Sequence, residues 1–259
     1  MITSGLVSVT FRALAPEQIV ALASEAGLEA IEWGGDVHVP HGDVETARAV
    51  RRMTLDVGLR IPSYGSYYRV GDGEPVPFEA VLETAAALGA PVVRVWAGTR
   101  GSGEADAGTW SRVIDDSLRI AALAASAGLR IAYEYHGHTL TDTDAAAQRL
   151  LSAVDHPAVG TYWQLREGVP PEEQLAGLRT VLPRLDHLHV QASHEGARAP
   201  LATMVETWET IFATVGETGR AHCAMIEFVR GDSPEQLLED AAVLRQMLRT
   251  LPGHLPGKG

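Results

Sequence analysis

The 259-residue chain consists of eight short apolar segments, each followed by a longer segment with apolar residues at helical spacing. The short segments have the length of β-strands. The longer ones, such as PEQIVALASEAG and SPEQLLEDAAVLRQML, have the periodicity of amphipathic helices. We predict strands at residues 5–11, 29–34, 58–64, 91–97, 129–135, 158–164, 185–191 and 222–229. Strict alternation of strand and helix is typical of parallel sheets whose strands are joined by crossover helices.

The number of strand–helix units predicts the fold class. Eight units in about 250 residues are the number found in a (β/α)8 barrel, an α/β fold that forms one domain. We therefore predict a single TIM barrel over residues 1–250 and a flexible Pro/Gly-rich tail, LPGHLPGKG, over 251–259. The alternative is a doubly wound open sheet. That fold usually has a glycine-rich phosphate loop after its first strand, and the segment SVTFRALAP contains none.

Composition narrows the classes of partner. The formal net charge is −12, so a polyanion would be repelled over most of the surface, and neither nucleic acid nor an anionic membrane is an expected partner. The sequence has no apolar run long enough to span a membrane. Its first residues, MITSGLVSVTF, are typical of a strand rather than of a signal peptide. We expect a cytoplasmic protein that acts on a small molecule, and we leave open whether it forms a homo-oligomer.

Four potential metal ligands stand at the C-terminal ends of the last four predicted strands: Glu134, Gln164, His189 and Glu227. In a barrel of parallel strands these ends share one face, where the loops form the active site, so the four side chains are expected to converge. Two carboxylates, an imidazole and an amide favour a single divalent cation. Mn²⁺ is the preferred ion, and Mg²⁺, Co²⁺ and Zn²⁺ are the alternatives.

Further polar and aromatic residues near the same strand ends are candidates for substrate contacts. They are Glu32, His38, Tyr64, Arg94, Trp96, His136 and Trp163. Arg94 and His136 are the polar groups that we most expect to bind substrate, and the aromatic residues would form the walls of a sugar pocket. The alternative interpretation is that each is an ordinary packing or solvent-exposed residue.

The chain resembles the xylose-isomerase-like (β/α)8 barrels, in particular the sugar isomerase and epimerase branch with ketose 3-epimerases, hydroxypyruvate isomerase and inosose dehydratase. The resemblance covers nearly the whole chain. It is carried by EAGLEAIEW, AAALGAPVVRV and the four strand ends. In that family a Glu, an Asp, a His and a Glu bind one divalent metal ion, and the two Glu flank the substrate and move protons. The resemblance implies these roles for Glu134, His189 and Glu227.

One position departs from the family pattern. The family has an Asp after a VG segment in the sixth strand, whereas this chain has VGTYWQ, which places Gln164 there. The histidine that is often found three residues later is Glu167 here, which becomes a further candidate for contact with substrate. A neutral amide is a weaker ligand than a carboxylate. We therefore expect lower affinity for the ion and a stronger Lewis acid.

The resemblance implies an isomerase or epimerase that acts on a small sugar or keto-polyol. Such an enzyme removes a proton next to a carbonyl to give an enediolate that the metal stabilises, with Glu134 and Glu227 as the acid/base pair. A keto-sugar or keto-polyol lyase or dehydratase using the same site is one alternative, and a non-catalytic polyol-binding barrel is another. An endonuclease IV-type hydrolase fits less well, because its trinuclear zinc cluster needs more ligands than we can place.

Overall fold

A closed barrel of parallel strands forms the centre of the computed structural model, which describes residues 1–73 and 76–251. Each strand pairs with its neighbour along the chain, and the last strand closes the ring by pairing with the first. The barrel strands are β1 Ile2–Val7, β2 Ala30–Gly34, β3 Ser63–Arg69, β4 Val92–Trp96, β5 Arg130–Tyr133, β6 Val159–Trp163, β7 Leu185–Val190 and β10 His222–Ile226. The predicted (β/α)8 barrel is confirmed.

Eight α-helices surround the barrel in the part of the chain that the structure describes. They are α1 Pro16–Glu25, α2 Val44–Asp56, α3 Phe78–Leu88, α4 Ala107–Ser126, α5 Asp144–Val154, α6 Pro171–Val181, α7 Val205–Gly216 and α8 Pro234–Arg249. Proline opens three of them, and the Ser233 hydroxyl caps α8 by accepting a hydrogen bond from the backbone N–H of Gln236. A small hairpin, β8 Ser193–His194 and β9 Ala197–Arg198, lies in the loop between β7 and α7.

The first and third strands differ most from their predicted bounds. β1 ends at Val7 instead of continuing to residue 11, because residues 8–11 form a 3-10 turn in which the Ser8 hydroxyl accepts a hydrogen bond from the Gly34 N–H. β3 starts at Ser63 and continues to Arg69, five residues beyond the predicted end at residue 64. Pro62 has no backbone N–H to donate to a neighbouring strand, so regular strand pairing begins after it. A register shift follows, and within it Tyr67 has a φ of 57°.

Side chains of the barrel strands alternate between two apolar layers. The outward-facing residues pack against the helices in the main core. The inward-facing ones form a second buried cluster inside the barrel: Val7, Val9, Ala30, Val92, Ala132, Tyr162, Cys223 and Met225. Apolar residues therefore fill the depth of the barrel. Polar side chains that continue the same inward-facing alternation emerge above them at the carboxyl ends of the strands.

Some sequence-based expectations fall on residues that the structure does not describe. The tail predicted for 251–259 lies outside the described residues except for Leu251, and Glu74 and Pro75 are not described either. Among the helices that are described, none combines the length and the apolar character needed to cross a membrane.

Candidate active site

Glu134, His189 and Glu227 meet at the carboxyl ends of β5, β7 and β10. The two glutamates directly follow their strands, and their backbone N–H groups still bond to the neighbouring strands, at 3.0 Å to the Val95 carbonyl and 2.9 Å to the Val190 carbonyl. This pairing fixes the direction of both side chains. One ligand atom from each of the three residues lies within 4.8 Å of the others, and all three side chains are buried.

The His189 ring stands between the two carboxylates. Its Nδ1 lies 3.3 Å from Oε1 of Glu134 and 3.2 Å from Oε2 of Glu227, and neither ring nitrogen has a hydrogen-bond partner among the described residues. Ligand atoms about 2.1 Å from an octahedral ion lie about 3 Å apart at neighbouring positions. The observed spacing and the unpartnered buried nitrogen therefore fit a site for a divalent ion.

A buried arginine links a third carboxylate to this group. Arg94 on β4 donates from Nε to Oε1 of Glu32 at 2.8 Å and from Nη1 to Oε2 of Glu134. The Trp96 indole N–H donates to the same oxygen of Glu134 at 2.5 Å. One oxygen of Glu134 is therefore occupied by two donors from β4, whereas the other oxygen faces His189.

Charge balance in this cluster also favours a cation. Burial raises the pKa values of Glu32 and Glu134, but Arg94, His189 and the hydrogen bonds to the two carboxylates together lower both pKa values by more, so both carboxylates stay ionised. Burial lowers the pKa of His189, but Glu227 and the other two carboxylates raise that pKa well above its ordinary value. An imidazole that binds an ion is neutral, and in that state three carboxylates and one guanidinium leave a net charge of −2. A divalent ion would neutralise this charge.

Gln164 follows β6, and its amide is oriented by the backbone of β5. Its Nε2 donates to the Tyr135 carbonyl, which assigns the other amide atom as oxygen. That Oε1 atom is buried and has no hydrogen-bond partner in residues 1–73 and 76–251. An unpartnered buried carbonyl oxygen is a potential ligand, and it is weaker than the carboxylate that the family pattern has at this position.

Three aromatic rings form a wall beside the carboxylates. His136 stacks on Trp96 with ring centroids 4.4 Å apart, and Tyr67 contacts Trp96 edge-on at 5.4 Å. The Tyr67 ring also lies over the Arg94 guanidinium, 4.7 Å from its central carbon. His136 and Trp96 are partly exposed, whereas Arg94 is fully buried. The wall therefore offers aromatic surface to a substrate that approaches the carboxylates.

The structure does not bring His38 or Tyr64 into this pocket. His38 is buried beside the 3-10 turn after β1, where its ring nitrogens lie 3.0 Å from the Ser8 hydroxyl and 3.2 Å from the Leu14 carbonyl. The Tyr64 hydroxyl donates to the Val39 carbonyl at 2.7 Å, on the side of β3 that faces away from the barrel interior. Both residues have a structural role, and we leave them out of the proposed site.

Trp163 and Glu167 also lie away from the carboxylates. Trp163 points out of the barrel and packs edge-on against Trp208 of α7, with ring centroids 6.4 Å apart. Glu167 is exposed and accepts a hydrogen bond from the Gly196 N–H at 2.5 Å, so it holds the β8–β9 hairpin. We assign packing to Trp163 and loop support to Glu167.

Two residues that support the site were not among the sequence candidates. The Ser63 hydroxyl and the Tyr162 hydroxyl each donate to Oε2 of Glu32 at 2.7 Å. Strand alternation places Tyr162 on the same face as Gln164 and could have identified it. Ser63 could not be identified, because the predicted third strand, 58–64, puts it near the carboxyl end, whereas it is the first residue of the observed strand.

The comparisons with known proteins agree with this architecture. The family model described as xylose isomerase-like TIM barrel matches residues 20–247. The probable 3-DHS dehydratase AsbF of Bacillus anthracis shares 22% identity, with a TM-score of 0.79 over 95% of this chain and 99% of that one. D-Psicose 3-epimerase of Clostridium cellulolyticum H10, solved with D-tagatose, shares 15% identity, with a TM-score of 0.69 over 95% of this chain and 98% of that one.

A third solved structure contains an ion. It is a xylose isomerase-like TIM barrel protein of Mycobacterium smegmatis in complex with magnesium, with 18% identity and a TM-score of 0.70 over 95% of both chains. No curated protein sequence matches this chain at a significant level. At these identities the similar structures establish the fold, and the function has to be argued from the site itself.

Proposed function

Because the chain belongs to the xylose isomerase-like TIM-barrel family, we propose that it is a metal-dependent isomerase or epimerase of sugars or keto-polyols. The reaction would proceed by removal of a proton α to a carbonyl. The observation that carries this proposal is the buried group of Glu134, His189 and Glu227, whose ligand atoms lie within 4.8 Å of one another. The solved relatives that are epimerases, and the one that holds magnesium, support it.

Glu134, His189 and Glu227 would hold the ion, and Gln164 would add its amide oxygen. When bound, a divalent ion supplies a Lewis acid that stabilises the negative charge developing on the substrate's carbonyl oxygen. Mn²⁺ is the ion that we favour, because two carboxylates and one imidazole form a mixed oxygen and nitrogen ligand set.

The two glutamates differ in how free they are to take a proton. Oε2 of Glu134 accepts hydrogen bonds from Arg94 and Trp96, which stabilise its ionised form and make it a weak base. Glu227 accepts no side-chain hydrogen bond within the described residues, and the one basic group within 4 Å of it is His189. We therefore assign proton abstraction to Glu227. Glu134 would stay ionised against Arg94 and serve on the opposite side of the substrate.

Dehydration of a keto sugar or keto-polyol is the second candidate function, since it begins with the same proton abstraction. It also needs an acid to protonate the leaving hydroxyl. His136 favours this candidate, because its partly exposed ring is fixed at the pocket wall by stacking on Trp96 and by a hydrogen bond of 2.6 Å between Nδ1 and the Gly137 carbonyl.

NMR in D₂O tests the proposed chemistry. The Mn²⁺-loaded protein would be incubated with a panel of ketoses, keto-inositols and 3-keto-glycosides. We expect deuterium at the carbon α to the carbonyl of at least one of them, and the product would distinguish epimerisation or isomerisation from loss of water. A panel on which the loaded protein neither exchanges nor converts any member, although it binds some of them, would favour the polyol-binding barrel.

Replacing Gln164 with aspartate is expected to tighten Mn²⁺ binding, because the change adds a negative ligand oxygen to the site. Activity is expected to fall at the same time, since a more neutralised ion polarises the substrate carbonyl less. Calorimetric titration of Mn²⁺ into both proteins measures the effect. An unchanged Mn²⁺ constant together with altered substrate affinity would remove Gln164 from the ligand set and make it a substrate contact.

A further inference from the structure

Glu32 has no carboxylate oxygen left for a substrate. Its side chain is fully buried, and both of its oxygens already have close polar neighbours. Oε2 accepts hydrogen bonds of 2.7 Å from the hydroxyls of Ser63 and Tyr162. Oε1 accepts one of 2.8 Å from Nε of Arg94 and lies 3.4 Å from Nε2 of His189. Because neither oxygen is free to contact a substrate, any effect of Glu32 on the reaction has to pass through the residues that it contacts.

Both neighbours of Oε1 belong to the group that would hold the ion. The other nitrogen of His189, Nδ1, faces the carboxylates of Glu134 and Glu227. The other arm of Arg94 donates to Glu134. Glu32 thus adjoins one ion ligand directly and reaches a second through the guanidinium. Histidines that bind metals commonly direct their second ring nitrogen at a carboxylate, which sets the tautomer and the orientation of the ring.

The surrounding backbone leaves room for this arrangement. Gly65 of β3 lies against the Arg94–Glu32 pair, and a Cβ at that position would stand 2.6 Å from Nη2 of Arg94 and 3.1 Å from Oε1 of Glu32. A side chain at position 65 would therefore displace the guanidinium. Glycine at this position lets the buried ion pair lie against the strand.

We propose that Glu32 is a positioning residue that orients His189 to present Nδ1 to the ion and that holds Arg94 against Glu134. Ser63 and Tyr162 fix the carboxylate from its other oxygen, so Nε2 of His189 faces a rigid carboxylate at 3.4 Å, an ion-pair distance without a hydrogen bond. This inference rests on the metal site of the proposed function. It gives Glu32 a role different from the substrate contact that the sequence predicted.

Mn²⁺ titration of two Glu32 variants tests the proposal. Glu32→Gln keeps the shape but removes the charged acceptor, and Glu32→Asp keeps the charge but withdraws it by about 1.5 Å, one carbon–carbon bond. We expect both variants to lose about 10- to 100-fold in Mn²⁺ affinity. If Glu32 contributed only its negative charge, Glu32→Asp would bind Mn²⁺ as tightly as the wild type does. That result would contradict the positioning role.

Asp240→Asn is the matched control. Asp240 is a buried carboxylate on α8 that accepts hydrogen bonds from the Leu201 N–H at 2.8 Å and from the Gln236 amide at 3.0 Å, outside the proposed site. We expect its loss to lower the melting temperature and leave the Mn²⁺ constant unchanged. If Glu32→Gln behaves in the same way, Glu32 serves only the stability of the fold and the inference is wrong.

The outcomes separate this inference from the proposed function. A wild-type protein that binds no Mn²⁺ would overturn both. Two Glu32 variants that bind Mn²⁺ as tightly as the wild type would overturn the inference alone.

If neither Glu32 variant folds, Tyr162→Phe replaces them, since it removes one donor to Glu32 and keeps every charge. We expect it to weaken Mn²⁺ binding by about tenfold. An unchanged Mn²⁺ constant in a folded Tyr162→Phe protein would overturn the proposal.

Discussion

Replacing Glu227 with glutamine is expected to slow exchange of the substrate's α-proton by about 10²–10⁴-fold, the usual cost of losing a positioned base. Glutamine keeps the shape of the side chain and removes the basic oxygen. The corresponding Glu134→Gln protein is expected to lose activity mainly through weaker ion binding, because the Glu134 carboxylate is already held by Arg94 and Trp96. Deuterium incorporation by NMR, measured at increasing Mn²⁺ concentrations up to saturation, separates the two effects: saturation is expected to restore exchange largely in Glu134→Gln but not in Glu227→Gln.

Glu167→Gln is the control for these two variants. Glu167 is an exposed carboxylate on the same face of the barrel that supports the β8–β9 hairpin, and its loss is expected to leave the exchange rate close to that of the wild type. Turnover by the wild-type protein without deuterium incorporation would not argue against proton abstraction by a glutamate, since a shielded carboxylate can return the same proton to the substrate. Turnover that survives in the Glu134→Gln, Glu227→Gln double variant would contradict the assignment of both glutamates.

Replacing His189 with alanine is expected to abolish stoichiometric Mn²⁺ binding, because the imidazole stands between the two carboxylate ligands. The change also leaves three buried carboxylates against the single guanidinium of Arg94. Removing one partner from a buried ionic cluster typically costs about 3–5 kcal/mol of stability. Elemental analysis and calorimetric titration measure the ion content, and thermal unfolding measures the stability.

His38→Ala is the matched control for the His189 variant. His38 is also buried, and its ring nitrogens lie against the Ser8 hydroxyl and the Leu14 carbonyl, outside the proposed ion site. Its loss is expected to lower the melting temperature and leave the Mn²⁺ stoichiometry at one. Absence of stoichiometric metal from the wild-type protein would contradict the metal-dependent mechanism and favour a barrel that only binds a polyol.

Alternation of strands and helices predicted the barrel, because eight apolar segments with crossover helices between them can close only in a few ways. The same rule predicted that polar residues at strand ends would share one face. Glu134 and Glu227 directly follow their strands, and His189 is the last residue but one of β7, so the three side chains lie at a similar height. The backbone bonds of the two glutamates to Val95 and Val190 continue the ladder one residue beyond the strands.

The direction of individual side chains was harder to predict. Trp163 stands at the end of β6 as expected, whereas Tyr64 is the second residue of β3. Each lies one residue out of step with the inward-facing positions, and a shift of one residue reverses the face. For β3 the alternation could not be applied from the sequence, because Pro62 delays the start of pairing and Tyr67 interrupts it with a positive φ. His38 lies beyond its strand, where alternation says nothing.

The hydrogen bonds and ion-pair contacts around Glu32 could not be predicted from the sequence. It joins Glu32, Ser63, Arg94, Tyr162 and His189 from five different strands. Each contact depends on the relative heights of those strands in the barrel, and the register between strands is decided by packing and by local irregularities such as the shift in β3. A candidate substrate ligand at a strand end was therefore indistinguishable from a residue that supports the site from within.

Anomalous diffraction from a crystal soaked with Mn²⁺ tests the metal-centred account most directly. The account predicts one strong peak at the carboxyl end of the barrel, within ligand distance of a carboxylate oxygen of Glu134, Nδ1 of His189 and a carboxylate oxygen of Glu227. A fully occupied Mn²⁺ peak elsewhere on the protein, with no peak between these three side chains, would contradict it.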